Sequence, residues 1–399
     1  MRLLLDTQLR QAQEIQPQLT TWRRAIHRQP ELGFAVHHTA ELVAKALAEL
    51  GLEVRAGVGK TGVVGYLGKG GGPVIAIRAD MDALPIQEEN AVAYASQVPG
   101  CMHACGHDAH TAMLLGAATL LSRQALPGQV RFLFQPSEEA ADAEGVSGAP
   151  RMIADGALAG VDVVIALHVD GTMDTGQICV GDGAVGAAVD SFRVHIIGQG
   201  GHGAYPHQTV DPIWLTSHVL SALYALPSRR VAPLQPSVVS VGVIRGGSAD
   251  NVIPDSVTLE GTLRSFADEV REQLIQEVER VMMITRALGG DYQLEIKRGY
   301  PVTTNDPTVA GWLRQVGSDL LGKDRVGTEQ KTMGAEDFSF MTKVAKGAML
   351  RLGAKPPDAA PRYLHTSTFD LDEAALPIGA AILAETARRF VCAEDSVLV

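Results

Sequence analysis

The segment from Cys101 to His110 carries a high density of side chains that can bind a metal ion. It reads Cys-Met-His-Ala-Cys-Gly-His-Asp-Ala-His, and it holds three of the 12 histidines and two of the four cysteines of the chain. Cys105 and His107 lie two positions apart at a predicted turn, ahead of an apolar helix expected to start near Thr111. A thiolate and an imidazole at that spacing can face one cation. The pair is also common by chance, so a metal site requires ligands from elsewhere in the chain.

Further candidate ligands stand at the ends of predicted apolar strands. Asp80 and Asp82 follow one such strand, Glu138 and Glu139 follow a second, and His168 closes a third. Each has an ordinary explanation taken alone, since aspartates cap helices and form turns and a single buried histidine is usually a core residue. In open α/β sheets, bound molecules lie beyond the ends of the strands. The occurrence of these polar residues at three predicted strand ends therefore favours one shared site.

The predicted elements divide the 399-residue chain into two domains, as its length indicates. Residues 1–184 and 299–399 alternate helices with apolar strands and predict one discontinuous α/β domain. Residues 185–298 follow the order β-α-β-β-α-β, which is typical of a small ferredoxin-like α+β domain. We therefore expect the second domain to be inserted into the first.

Composition excludes several classes of protein. The net charge is −11 and the basic residues are scattered, which argues against nucleic acid and against an anionic membrane surface as partners. No run of about 18 apolar residues predicts a membrane-spanning helix, and the N-terminus lacks a signal-peptide pattern. Four cysteines do not form a disulfide framework, so we expect a reducing, cytoplasmic location.

Five candidate ligands are too many for one tetrahedral zinc ion, but they suit two divalent ions about 3.5–4 Å apart. Mixed sulfur, nitrogen and oxygen ligands favour Mn, Zn, Co or Ni over Ca or Mg. The five are Cys105, His107, Glu139, His168 and His365.

The remaining polar residues predict how such a centre would react. Glu138, beside the ligand Glu139, is the candidate general base that takes a proton from water and passes it to the leaving amine. We expect Asp82 to hydrogen-bond a ligand imidazole and His202 to stabilise the oxyanion. The reaction class that follows is metal-assisted hydrolysis of an amide.

Five motifs, in order along nearly the whole chain, resemble the amidohydrolase branch of the aminoacylase/carboxypeptidase G metallopeptidase family. This branch includes hippurate hydrolase, N-acetyl-amino-acid deacetylases and auxin-conjugate hydrolases. The motifs are Ala79-Asp-Met-Asp-Ala-Leu-Pro, Cys105-Gly-His-Asp-Ala-His-Thr-Ala-Met-Leu, Gln135-Pro-Ser-Glu-Glu, Gly201-His-Gly-Ala-Tyr-Pro-His and Met333-Gly-Ala-Glu-Asp-Phe.

The resemblance implies an α/β/α catalytic domain with a mixed sheet and a lid that dimerises. It implies the same five metal ligands, with Glu138 as base, and a His202 that enters the active site of the partner in a homodimer. It also implies that Asn251 and Arg264 hold the substrate carboxylate, for which a guanidinium fork is well suited. The expected substrates are N-acetyl, N-benzoyl or indole-acetyl amino acids, split into a carboxylic acid and a free L-amino acid.

Two other interpretations remain open. One is a dipeptidase, a carboxypeptidase or a metal-dependent deaminase on the same scaffold, although peptidase members carry His-x-Asp where this chain has Asp80-x-Asp82. The other is a non-catalytic metal-binding protein, in which a base such as Glu138 beside Glu139 would have no use.

Overall fold

The computed structural model describes residues 2–68, 71–329 and 331–392. Residue 1 and residues 393–399, which the sequence assigned to the catalytic domain, lie outside the described residues. The chain forms two compact units. Unit 1 holds the described residues of Met1–Gly183, Thr304–Gln330 and Asp337–Val399, and unit 2 holds Ala184–Thr303 and Lys331–Glu336.

Unit 2 includes Ala184 and two longer stretches that the sequence pattern placed in the catalytic domain. The second of these stretches is Lys331–Glu336, and the first is residues 299–303. Main-chain hydrogen bonds explain the second stretch. The Thr332 N–H donates to the Val185 carbonyl at 3.0 Å, and the Ala187 N–H donates to the Thr332 carbonyl at 3.1 Å. Pairing between segments so far apart in sequence leaves no local pattern, so the sequence could not predict it.

Eight strands form one mixed sheet in unit 1. They are β1 (Glu53–Val58), β2 (Gly62–Leu67), β3 (Val74–Asp80), β4 (Gln129–Gln135), β5 (Val163–Asp174), β6 (Ile178–Cys179), β15 (Val326–Gly327) and β16 (Lys346–Lys355). Their order is β1-β2-β4-β3-β5-β16-β6-β15. The central strands β4, β3, β5 and β16 are parallel neighbours, while β1 and β2 add antiparallel pairs. The predicted mixed α/β fold is thereby confirmed.

Eight helices belong to unit 1. They are α1 (Arg2–Glu14), α2 (Gln16–Arg28), α3 (His37–Glu49), α4 (His107–Leu121), α5 (Gly148–Ala154), α8 (Pro307–Leu321), α9 (Phe338–Thr342) and α10 (Ala375–Val391). Every residue of α4 is buried, and the helix packs against α2, α10 and β3. Its apolar side chains therefore face protein on all sides, which holds its first turn in place.

Unit 2 is built around a four-stranded antiparallel sheet with two helices. Its main elements are β8 (Ala188–Ile197), α6 (Pro212–Arg229), β10 (Ser237–Gly246), β12 (Ser256–Ser265), α7 (Asp268–Ala287) and β13 (Asp291–Arg298). The strand order β10-β12-β8-β13 is that of a ferredoxin-like fold. Both helices pack against the sheet, so that Val194, Leu215 and Val278 share one apolar core.

The remaining elements are short. They are β7 (Gly183–Gly186), β9 (Gly201–His202), β11 (Val252–Ile253), β14 (Thr303–Asn305) and the 3-10 turns Pro206–Gln208 and Lys323–Arg325. Among the described helices we find none with the length and apolar character needed to span a bilayer.

Candidate metal centre

The predicted ligands lie at different kinds of position in unit 1. His107 is the first residue of α4, which therefore starts four residues earlier than the expected Thr111. His168 lies inside β5 and not at its end, because β5 stays paired with β16 as far as Asp174. Cys105, Glu139 and His365 lie in the described loops between elements.

The fold brings all five predicted ligands together as two groups of three. The ligand atoms of Cys105, His107 and His168 lie within 4.8 Å of one another, and so do those of Cys105, Glu139 and His365. The Cys105 sulfur belongs to both groups. Two triads that share a thiolate suit two neighbouring divalent cations, with soft and borderline ligands of the kind that zinc and similar ions prefer.

The polar atoms at the centre also fit a bound metal. His107 Nε2 is buried and makes no hydrogen bond, which costs roughly 1–3 kcal/mol. Glu139 Oε1 is also buried, with an imidazole as its neighbour. His365 Nε2 lies 3.1 Å from Glu139 Oε1. Burial raises the pKa of the Cys105 thiol, so a thiolate there requires positive charge beside it. A divalent cation would satisfy all of these groups.

Two of the ligand imidazoles are oriented by the backbone. The Nδ1–H of His107 donates to the Asp82 carbonyl at 2.8 Å, and that of His168 donates to the Val169 carbonyl at 2.8 Å. These bonds set the tautomer of each ring and leave its Nε2 lone pair for the centre.

Asp82 lies against the ligand imidazole of His107 with both its side chain and its main chain. Its carboxylate is 3.5 Å from His107 Nδ1, and its main-chain carbonyl accepts the Nδ1–H at 2.8 Å. The two carboxylate oxygens accept the N–H groups of Glu138 and Glu139, each at 3.0 Å. Asp82 therefore holds the loop that carries both glutamates, because those two donors lie closer and better aligned than the imidazole.

Glu138 lies beside the two triads and belongs to neither. It is buried, and one of its carboxylate oxygens lies within 4.8 Å of the ligand atoms of His107 and Glu139. The preceding Ser137 has a positive φ of 52°, so the loop turns sharply just before Glu138. Its N–H donates a hydrogen bond to the Gly33 carbonyl, and its hydroxyl donates one to the Ala140 carbonyl. A carboxylate held there is well placed for general base chemistry.

A buried ionic network under the centre was missed at the sequence level. Arg78 donates to Asp80 at 2.7 Å and to Asp337 at 3.0 Å. Burial opposes ionisation of Asp80, but Arg78, His107 and His110 hold its pKa well below the usual range. Asp337 also accepts hydrogen bonds from Ser147 and Ala149, at the far end of the glutamate loop. One signal was available, since Arg78 is the one charged residue in the stretch from Val74 to Ala79, which is otherwise apolar.

The other predicted site residues lie in unit 2. His202 pairs with Val252 across β9 and β11, and the Gly203 N–H donates to the Asn251 carbonyl at 2.8 Å. His202 and Asn251 are thus neighbours, and both are exposed. Arg264 lies on β12 and is half-buried. Burial lowers its pKa, although the charge of Asp190 opposes that shift.

The mixed sheet and the paired triads beside Glu138 are features of a metal-dependent hydrolase. The sequence profile of peptidase family M20/M25/M40 matches residues 76–389. The chain belongs to this family. The predicted family, the predicted metal-dependent amidohydrolase class and the prediction of a divalent-metal cofactor are confirmed at this level.

Similar proteins carry several names. The chain is 38% identical to thermostable carboxypeptidase 2 of Saccharolobus solfataricus, over 94% of this chain and 96% of that protein. It is 40% identical to IAA-amino acid hydrolase ILR1-like 4 of Arabidopsis thaliana, over 92% and 84%. It is 39% identical to N-acetyl-L-cysteine deacetylase of Bacillus subtilis, over 94% and 89%.

Two solved structures share the fold. A putative aminohydrolase from methicillin-resistant Staphylococcus aureus has a TM-score of 0.90 and 32% identity, covering 97% of this chain and 100% of that one. The YXEP protein of Bacillus subtilis, described as a dinuclear metal-binding peptidase of family M20, has a TM-score of 0.82 and 33% identity, over 96% and 99%.

Proposed function

We propose that this protein hydrolyses the amide bond of N-acyl-L-amino acids with the help of two divalent metal ions. The observation that carries the proposal is the pair of triads that share Cys105, with Glu138 beside them and in neither. Products of the reaction are a carboxylic acid and a free amino acid.

In this proposal Cys105, His107 and His168 hold one ion, and Cys105, Glu139 and His365 hold the other. When bound, the ions polarise the amide carbonyl and make a water molecule acidic enough to be deprotonated near neutral pH. The site chemistry favours Zn, Mn, Co or Ni.

The chain's own residues handle the protons. Glu138 accepts the proton of the attacking water and returns it to the departing amine nitrogen. Asp82 keeps that carboxylate in place through the two amides that it binds. Glu138 is buried, which limits the access of bulk water to its carboxylate.

We assign substrate recognition to unit 2. Arg264 and Asn251 bind the substrate carboxylate, and His202 stabilises the oxyanion in the partner's active site of a homodimer. Support comes from the half-buried Arg264 guanidinium, whose hydrogen bonds go to its own strand neighbours Thr262 and Leu263. The low cysteine content supports a cytoplasmic location.

The relatives' names support an acyl amino acid as the substrate, since two of them are a hydrolase of IAA-amino acids and an N-acetyl-L-cysteine deacetylase. A carboxypeptidase activity is the second candidate, and the name of the Saccharolobus relative favours it.

The first test measures amine release from a panel of N-acetyl, N-benzoyl and indole-acetyl amino acids and of dipeptides. The enzyme is stripped of metal and reloaded with Zn²⁺, Mn²⁺, Co²⁺ or Ni²⁺. We expect metal-dependent cleavage of the acyl amino acids. Cleavage of dipeptides alone would favour the peptidase hypothesis over this proposal. If no substrate of the panel releases an amine, the proposal is rejected.

The dimer is tested by mixing two inactive variants. His202→Ala and Glu138→Ala should each be inactive, and the mixture should regain part of the wild-type rate if each active site takes His202 from the partner. No recovery after the subunits have exchanged would show that each protomer is self-contained.

A further inference from the structure

We propose that His110 is a positioning residue that sets the orientation of His168 through the backbone of Val169. The inference rests on the proposed metal centre but not on the proposed substrate. His110 lies in the same motif as Cys105 and His107, but the proposed mechanism assigns it no role.

Both ring nitrogens of His110 are committed to buried partners. Nδ1 lies 2.6 Å from Asp80 Oδ1, and Nε2 accepts the N–H of Val169 at 3.0 Å. A main-chain N–H can only donate, so Nε2 must carry the lone pair. The ionised Asp80 can only accept, so Nδ1 must carry the proton. These two bonds define a neutral imidazole in one tautomer.

These two hydrogen bonds exclude His110 as a metal ligand. Ligand atoms of Asp80, His107 and His110 do lie within 4.8 Å of one another, as in a metal site. An ion there would have to displace the Val169 N–H from His110 or compete with Arg78 for Asp80. Each exchange would leave a buried polar group unpaired, at a cost of roughly 1–3 kcal/mol.

Val169 transmits the position of His110 to the centre. Its N–H is held by His110, and its carbonyl accepts the Nδ1–H of His168 at 2.8 Å. The Nε2 of His168 then lies 3.5 Å from the Cys105 sulfur. A shift of the Val169 backbone would therefore turn the His168 ring away from the shared thiolate.

Val169 also contacts the turn that carries the other ligands of the same triad. A Cβ atom added to Gly106 would lie 2.3 Å from Val169 Cγ2, which shows how closely this turn packs on that side chain. One residue thus contacts the Cys105–His107 turn and orients His168. The Val169 N–H in turn donates its hydrogen bond to the His110 side chain.

The test compares His110→Asn and His110→Ala with wild-type enzyme by chelator competition for Zn²⁺, without any activity measurement. The Asn amide can still donate to Asp80, but it leaves the Val169 N–H without an acceptor. Mutation of a residue that orients a metal ligand typically lowers the affinity for the metal by about 10–100-fold. We expect that loss for one of the two ions in both variants, so that dialysed protein retains one ion per chain.

Thr111→Val is the matched control. Thr111 follows His110, is equally buried, and donates to the Asp80 carbonyl at 2.9 Å, with no bond to Val169. We expect wild-type affinity for both ions in this variant. Thermal unfolding of the metal-free proteins separates a positioning role from a structural one, because positioning changes the metal affinity of protein that is still folded.

Several results would overturn the inference. Wild-type affinity at both sites in His110→Asn would do so, as would an equal loss in Thr111→Val. If His110→Ala does not fold, His110→Asn decides, because its amide can still donate to Asp80. Failure on the substrate panel would leave this result intact, since only metal binding is measured.

Discussion

The two units hold their candidate functional residues in different ways. In unit 1 Cys105, His107 and Glu138 are buried, although His365 is exposed. Asp82, His107 and His168 are tied to the main chain by hydrogen bonds of 2.8 to 3.0 Å. In unit 2 His202 and Asn251 are exposed, and the bonds of Arg264 are to its own strand neighbours, Thr262 and Leu263.

In the proposed function this difference separates the residues of the chemistry from those of substrate recognition. Reacting groups require a fixed geometry before the substrate arrives, because errors of about 1 Å cost roughly 100-fold in rate. Residues that bind a substrate carboxylate keep unused donors until the ligand supplies the acceptor. Substitutions in unit 1 should therefore change turnover or metal content, and those in unit 2 should change substrate binding.

The largest expected effect is that of Glu138→Gln. It should lower kcat by about 10²- to 10⁴-fold at unchanged metal content, because only the proton transfer is removed. Glu144→Gln is the control, an acid on the same loop whose side chain is 76% exposed. Steady-state kinetics with metal analysis decide, and near-wild-type turnover in Glu138→Gln would exclude this residue as the base.

The next largest effect is expected for Gly106→Ala, which should lose bound metal and lower the rate of turnover by about 100-fold. Gly106 has a φ of 88°, and an added Cβ would clash with Val169. Gly100→Ala carries the same backbone penalty, with a φ of 74°, but meets no atom within 4 Å. If both variants lose metal equally, backbone strain and not the clash controls the centre.

Arg264→Ala sharpens the contrast from the side of unit 2. Loss of a charge-assisted hydrogen bond of about 1.5–3 kcal/mol should raise KM by roughly 10- to 100-fold and leave the metal content unchanged. An N-acyl amine without a carboxylate should be unaffected. Arg245→Ala, on the neighbouring strand with a side chain 70% exposed, is the control. An equal defect on both substrates would remove Arg264 from carboxylate binding.

The smallest effect concerns stability in unit 1. Burial lowers the pKa of His27, but Asp108 and Glu88 outweigh it and raise that pKa to about 9 from 6.5. The protonated ring therefore stabilises the fold fully below pH 6.5, and this contribution, at most about 3 kcal/mol, is lost as the pH rises through 9.

The measurement compares the thermal midpoints of metal-free wild type and His27→Gln at several pH values. The gap between the two proteins should be wide at pH 6.5 and should narrow by pH 9. A gap that stays constant over this range would show that His27 does not carry the charge assigned to it.

Local patterns were sufficient for much of the fold. Apolar runs of strand length predicted β3, β4 and β5. The element order of unit 2 was also readable from the alternation of strand and helix patterns.

Element ends were less predictable. The start of α4 at His107 depends on Gly106 in a left-handed conformation, packed against Val169. The continuation of β5 beyond His168 depends on its pairing with β16. Both depend on residues far away in the chain.

The sequence alone determined the kind of chemistry, because thiolate, imidazole and carboxylate ligands appear in it as residue types at recognisable spacings. It also determined that Glu138 stands beside Glu139. Only the tertiary structure decided that Cys105 is shared by two triads, that the Asp82 side chain holds the glutamate loop and that His110 bonds Val169. The physical reason is that hydrogen bonds and metal triads depend on distances between atoms, and those distances are set where separate strands and loops converge.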